Sequence, residues 1–318
     1  MGARIDRDPH CWWPHRPARV RGSVADQHHQ GVSGMTLRAQ LDKGQVVAGG
    51  VYDALSAAVV AEAGYPALAL SGAGVAAASA GLPDLGLLSF AELLTTARTV
   101  IATTGAPVIV DADTGYGNEL NTIRTCGELA AAGAGAVMIE DQSFPKRCGH
   151  LTGHHVITRA EFGAKLRAAA HGLAGSGALL IARTDSLSSD NVDEAIVRCH
   201  LARDAGADIT FVEAPPSIEI IDRIATEVPG HKMFNLATGG RSPALSFAEL
   251  AERGFDLVVV PGLTLMPALR AMKDAAAAVL TAQSDQPLTH YRMSPRSIFE
   301  TVGLERWLDV EKQYSVQD

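Results

Sequence analysis

Asp111 and Asp113 stand one residue apart where the apolar run PVIV gives out, in the stretch DADTGYGN. Alternate residues of an extended strand leave on the same face, so the two carboxylates project together. Closely spaced carboxylate oxygens suit Mg²⁺ or Mn²⁺, and without a cation they would be driven to hold protons. Aspartate beside glycine is also common turn punctuation, and taken alone that simpler reading would win. Acids on neighbouring segments reverse it. Asp84 and Glu140 can join Asp111 and Asp113 in one oxygen-rich metal site.

Other residue types offer complementary chemistry. In PKRCGHLTGHH, Lys146, Arg147 and His150 flank Cys148 with positive charge, which favours the thiolate and makes the sulfur usable in proton transfer. Loops of glycine and charge after a barrel strand are also where lids arise, so a functional loop is favoured over an incidental cysteine. Arg183, ending LLIAR, is a fork for a substrate carboxylate, with Glu213 and Asn235 placed to orient it. A plain salt bridge from Arg183 to Asp185 or Glu213 is the competing role. The amides of Ser71, Gly72 and Ala73 can cradle another carboxylate.

Three look-alikes are set aside. SGAGVAA after ALAL imitates a dinucleotide fingerprint, with Glu92 about twenty residues on. GLPDLG interrupts the helix that motif needs, and Glu92 falls within a helical pattern. Cys126 and Cys199 lie inside helical patterns, as packed small hydrophobes would. His154 and His155 are adjacent, a poor chelating geometry, and are assigned no metal.

These residues need a scaffold that gathers them. From Val46 on, apolar runs alternate with helical patterns: residues 46–51, 67–72, 107–113, 136–141, 179–185, 209–214, 232–236 and 256–262 read as strands. Continuously apolar strands indicate a parallel sheet covered on both faces. Eight β/α repeats predict a (β/α)8 TIM barrel; a doubly wound open sheet is the alternative. Ser71, Asp111, Asp113, Glu140, Asp141, Arg183, Asp185, Glu213 and Asn235 all fall at strand ends that such a barrel brings to one rim.

The totals agree with a small-molecule enzyme. The chain has 318 residues, 47% of them hydrophobic, and a net charge of −8, which disfavours nucleic acid and anionic membrane as partners. Its cysteines show no paired or metal-like spacing, as expected in a reducing cytoplasm. No segment reads as a transmembrane helix or secretory signal. Residues 1–34 lack periodicity and read as a disordered extension, with Met35 a plausible alternative start. The barrel is expected over 35–285 and a helical tail over 286–318.

SGAGVAAASAGLPDLG, DADTGYGN, IEDQSFPKRCGHLTG, ARTD and FVEA, in that order across about residues 40 to 280, resemble the isocitrate lyase and phosphoenolpyruvate mutase superfamily. KRCGH is the most specific piece and marks its carbon–carbon lyase branch. The resemblance implies a (β/α)8 barrel whose C-terminal helix is exchanged between subunits of a homodimer or homotetramer. It implies Mg²⁺ held by Asp111 and Asp113 with Asp84 and Glu140 in support, and a 2-oxo-acid end bound by Ser71, Gly72 and Ala73. Cys148 would exchange the proton, Gly149 and His150 would touch substrate, and Arg183, Glu213 and Asn235 would bind the second carboxylate.

The implied activity is cleavage of a small 2-hydroxy di- or tricarboxylate, methylisocitrate-like acids first, to a 2-oxo acid such as pyruvate. Phosphoenolpyruvate mutase, phosphonopyruvate hydrolase or oxaloacetate hydrolase activity is the alternative. A non-catalytic carboxylate-binding barrel would require lost acids or a lost base, and none is missing. Three positions depart from the pattern: Ala73 replaces a glycine, Thr238 stands where many relatives carry glutamate, and His154 replaces a lysine. These bear on which acid is cleaved rather than on the reaction class.

Overall fold

The computed structural model of the chain describes residues 34–149, 153, 155–188 and 191–315. The expectations for residues 1–33, His150 and His154 lie outside the described residues. Among the described residues eight strands close a parallel barrel in sequence order. They are β1 (Val46–Val51), β2 (Ala67–Leu70), β3 (Val108–Asp111), β4 (Ala136–Glu140), β5 (Leu179–Thr184), β6 (Ile209–Val212), β7 (His231–Asn235) and β8 (Leu257–Val260). β8 returns to β1 through the register Val46 to Leu257, which completes the ring. The open-sheet alternative is excluded by that pairing.

Strand residues alternate between two apolar environments, which is why the runs carry no polar period. Inside the barrel, the small Ala48, Ala67 and Ala69 share one cluster with the bulkier Ile109, Phe211 and Met233. Leu37 and Leu41 of α1 (Leu37–Leu41) join that inner cluster and plug the end opposite the rim. The outward strand faces pack against α2 (Ala54–Glu62), α4 (Phe90–Thr103), α5 (Glu119–Ala132), α6 (Arg159–Leu173), α7 (Val192–Asp204), α8 (Ile218–Glu227) and α9 (Phe247–Glu252). α3 (Gly72–Val75) runs on into a π-helical turn, Ala76–Ala80.

Helix starts follow local chemistry. Asp53, Ser89, Thr158 and Ser246 each form a capping box with the residue three positions on. Glu92, the residue suited to a ribose in the rejected nucleotide motif, is one of these partners and accepts the Ser89 amide at 2.8 Å. After β8 the pattern changes. α10 (Leu265–Ala282), a 3₁₀ segment (Gln286–Tyr291), α11 (Pro295–Thr301) and α12 (Leu304–Tyr314) contain no buried residue. None of the described helices is long and apolar enough to cross a membrane.

Candidate active site

The rim at the strand C-termini surrounds a cavity of about 240 Å³ lined by Ser71, Ala73, Asp84, Asp111, Cys148, Gly149, Arg183, Glu213 and Asn235. Barrel enzymes work at this end because loops from every strand converge there. Asp113 and Glu140 lie behind these residues, 5% and 1% exposed. The strand periodicity therefore gathers the expected set into one place, in two tiers.

The carboxylate tier is organised around a lysine. Lys146 is 4% exposed, and its Nζ lies 2.5 Å from Asp84 Oδ1 and 2.7 Å from Asp113 Oδ1. Burial alone would push its pKa down, but the charges of Asp113, Glu140, Asp111 and Asp84 hold it above its ordinary value. Asp113, at φ 48°, turns its amide onto Asp111 Oδ1 at 3.2 Å. Burial first, and then the Asp111 charge, raise Asp113 to about 7 against the pull of Lys146. Lys146, expected among the positive charges around Cys148, also places its ammonium on Asp84 and Asp113.

Asp111 and Asp113 meet over Gly72. A Cβ built on Gly72 would lie 3.2 Å from Asp113 Oδ1 and 3.4 Å from Asp111 Oδ2, so a bare backbone lets both acids approach. As the side chains lie, no group of three or more His, Cys, Asp or Glu among the described residues is placed to hold a metal. Glu140 Oε2 stands 3.5 Å from Arg183 Nε. The donor chemistry nonetheless fits a hard divalent cation: oxygen ligands, a pair of converging carboxylates, and an Asp113 raised by burial and by the Asp111 charge.

The second tier holds a guanidinium. Arg183 Nε and Nη2 each donate to Asp185 at 2.8 Å, a bidentate pair. Glu140 and Glu213 carboxylate oxygens stand 3.5 Å away on either side, and the Phe211 ring lies 5.7 Å from the guanidinium carbon. Burial opposes Arg183's charge, yet Asp185, Glu213 and Glu140 together hold its pKa well above the usual value. Burial likewise pushes Glu140 well up, despite the neighbouring Arg183. Arg183 thus makes the structural salt bridge and also lines the cavity.

Asp141 supports this pair from outside. It accepts the Thr184 hydroxyl at 2.6 Å and the Asp185 amide at 2.9 Å, and Arg198 of α7 pairs with it at 3.0 Å. Asn235, at the end of β7, has Oδ1 buried with no hydrogen-bond partner among the described residues. A buried polar atom without a partner is costly, so a group that enters the cavity gains by meeting it. Ser71 caps α3 by accepting the Gly74 amide at 3.2 Å, and the first-turn amides of Gly72 and Ala73 have no intrahelical acceptor.

The loop after β4 reaches the cavity through Cys148 and Gly149. The Cys148 amide donates to the Asp84 carbonyl at 3.2 Å, and Cys148 is half-buried on the cavity wall. A Cβ built on Gly149 would come within 2.5 Å of Arg183 Nη2 and 2.7 Å of Asp185 Oδ1. Only glycine allows the gate backbone to rest on the guanidinium pair. Cys126 and Cys199 are buried in helices α5 and α7, and burial pushes each thiol up to about 12, so neither competes as a proton donor.

The opposite wall of the cavity is apolar, with Met233, Ala237, Val259, Pro261, Leu265 and Met266. Sequence reasoning missed Leu265 and Met266, because the start of an amphipathic helix gives no signal that it reaches a site on the rim. It missed Lys146's partners for a different reason. Only the fold of an aperiodic loop brings that ammonium back to acids on other segments.

A (β/α)8 barrel with paired aspartates, a guanidinium and a gate cysteine at its rim defines the class, and the family follows. The chain belongs to the phosphoenolpyruvate phosphomutase family, whose pattern matches residues 37–280. It is 35% identical to 2,3-dimethylmalate lyase of Eubacterium barkeri over 86% of this chain and 94% of the relative. A crystal structure of 2,3-dimethylmalate lyase, a PEP mutase/isocitrate lyase superfamily member, gives a TM-score of 0.84 with 90% of this chain and 96% of that one covered. A chloroplastic carboxyvinyl-carboxyphosphonate phosphorylmutase of Arabidopsis thaliana is 39% identical over 86% of this chain and 82% of its own. Phosphonopyruvate hydrolase in complex with oxalate and Mg²⁺ gives a TM-score of 0.80 at 27% identity, covering 89% of this chain and 99% of that one.

Proposed function

We propose that this protein is a carbon–carbon lyase that cleaves a small 2-hydroxy carboxylate bearing a second carboxylate, releasing a 2-oxo acid. The observation that carries the reading is one cavity wall shared by Cys148, Asp111 and Arg183. Similarity to 2,3-dimethylmalate lyase supports it, and the cysteine in KRCGH favours carbon–carbon over phosphorus–carbon chemistry.

Asp111 and Asp113, supported by Asp84 and Glu140, would hold Mg²⁺ or Mn²⁺, the relative crystallised with Mg²⁺ being the precedent. When bound, that cation supplies Lewis-acid polarisation of the substrate's carboxylate and hydroxyl oxygens. Ser71 and the amides of Gly72 and Ala73 receive the 2-hydroxy-acid end, while Arg183, oriented by Asp185 and Glu213, binds the second carboxylate. The hydroxyl proton passes to the carboxylate tier as the C2–C3 bond breaks. The electron pair remains on C3, conjugated with its carboxylate, where Arg183 stabilises the charge. Cys148 then gives its proton to C3, with the gate closed and water excluded. His150 would touch substrate in this reading, as the resemblance implies.

Cavity chemistry ranks substrates within the di- and tricarboxylate class. Arg183 is the only cationic side chain among the described lining residues, and the facing wall is apolar. A 2-hydroxy dicarboxylate with alkyl branches fits that division, and a third carboxylate finds no cation there. Oligomerisation completes the proposal. α10 buries no residue and exposes Leu269, Met272 and Leu280, at 48%, 59% and 72%, where a partner subunit would cover them. A cytoplasmic setting is consistent with the free cysteines.

The test is a screen for pyruvate and other 2-oxo acids released from 2-hydroxy di- and tricarboxylates with Mg²⁺. Alkyl-branched dicarboxylates are expected to lead. Interconversion of phosphoenolpyruvate and phosphonopyruvate followed by ³¹P resonance, without 2-oxo-acid release from any hydroxy acid, would overturn the assignment.

A further inference from the structure

Gln142 has no part in the chemistry just described, yet its side chain is fully buried beneath the gate, at 0% exposure. It follows β4, and its backbone pairs with Val156 in an isolated antiparallel bridge that ties the two feet of the loop together. The feet are further fixed by the Ser143 amide on the His155 carbonyl and the Ile157 amide on the Asp141 carbonyl, both at 2.8 Å. Above them the side chain reaches to the middle of the gate. Its Nε2 donates to the Arg147 carbonyl at 2.8 Å, and its Oε1 accepts the Arg147 amide at 2.9 Å.

A primary amide carries a donor and an acceptor side by side, so it can satisfy both backbone groups of one residue as a paired strand would. Glutamate would offer no donor when ionised, and methionine would offer neither group. Arg147 immediately precedes Cys148, so fixing its peptide groups fixes where the sulfur is presented.

We propose that Gln142 is the positioning residue of the gate, clamping the Arg147 backbone so that Cys148 faces the cavity. The inference rests on the assignment of Cys148 as proton donor, but its test does not require turnover. In the wild-type protein, site-resolved hydrogen exchange should find the Arg147 amide protected, although its side chain is exposed on a loop. In Gln142→Met and Gln142→Glu, that protection should be lost. Alkylation of Cys148 by iodoacetamide, read by mass spectrometry, should then rise about tenfold, the scale set by losing one or two net hydrogen bonds.

With an accepted substrate, kcat should fall by about tenfold or more while KM stays within a small factor, as expected when a catalytic group is displaced rather than removed. A role in stability alone would lower the melting temperature and leave the alkylation rate and the kcat-to-KM split unchanged; that result overturns the proposal. An unprotected Arg147 amide in the wild type overturns it whether or not either variant folds. If Cys148→Ser proves fully active while the exchange and alkylation results hold, the clamp stands and the proton-donor assignment is what fails.

Discussion

The two halves of the barrel mouth are built from opposite materials. The arc from β3 to β6 carries Asp111, Asp113, Glu140, Asp141, Arg183, Asp185 and Glu213, nearly all buried and tied into ion pairs. The arc through β7, β8 and the start of α10 offers Met233, Val259, Pro261, Leu265 and Met266, with Asn235 the polar exception. Buried charge is held only where partners repay its desolvation, so the first arc is costly to alter and ill suited to variation. An apolar wall is tolerant of volume-conserving change. Under the proposed function, this division would put bond-breaking on one side and choice of substrate on the other.

The comparison is broken most severely by removing the charged arc's cation. Arg183→Met should abolish turnover and lower stability by about 3–5 kcal/mol, because Asp185 and Glu213 are left buried and facing one another. Urea unfolding and 2-oxo-acid release measure the two effects separately. Arg183→Lys should recover part of the stability and little activity, since an ammonium cannot reproduce the bidentate contact with Asp185.

Removal of divalent cation comes next. EDTA should reduce activity by about 10³-fold or more, within the span that electrostatic stabilisation contributes, and Mg²⁺ or Mn²⁺ should restore it. Asp111→Ala should not recover at any metal concentration. Full activity after exhaustive chelation would remove the metal from the account.

Gly149→Ala tests where the gate meets that arc. The new methyl would fall within 2.5 Å of the Arg183 guanidinium, so the loop must rest farther out. A loss of about 10²-fold in kcat/KM is expected, the scale of a roughly 1 Å misplacement, with the melting temperature nearly unchanged. Wild-type kcat/KM would show that the gate does not rest on Arg183 during turnover.

The apolar arc should answer more gently. Met266→Lys should cut kcat/KM for an alkyl-branched dicarboxylate by about tenfold, as loss of a methylene-sized apolar contact does, and improve a tricarboxylate relative to it. An unchanged ratio between the two substrates would locate selectivity elsewhere.

Much of this contrast was legible before any coordinates. Parallel strands buried on both faces write continuous apolar runs, so all eight were found to within a few residues of their ends. Strand ends then marked Asp111, Arg183, Glu213 and Asn235 as rim residues. The same reasoning gave no acidic partners for Lys146, because no periodicity says which way a glycine-bearing loop folds back. Gln142 gave no signal at all. Its meaning lies in two hydrogen bonds to a backbone five residues on, and an uncharged amide beside two acids reads as filler. Asp141 looked like another rim acid. Its three contacts to Thr184, Asp185 and Arg198 make it a brace instead, a distinction that depends on α7 delivering Arg198 to the strand end.

The central claim is that Cys148 on the gate donates the proton that completes carbon–carbon cleavage. Cys148→Ser preserves size and hydrogen bonding but moves the acidity far from a thiol's. Measured on the best substrate of the 2-oxo-acid screen, the serine variant should show kcat lowered by about 10²-fold or more with KM within a small factor. A serine variant with wild-type kcat would contradict the account and direct attention to the phosphorus–carbon chemistry of the same family.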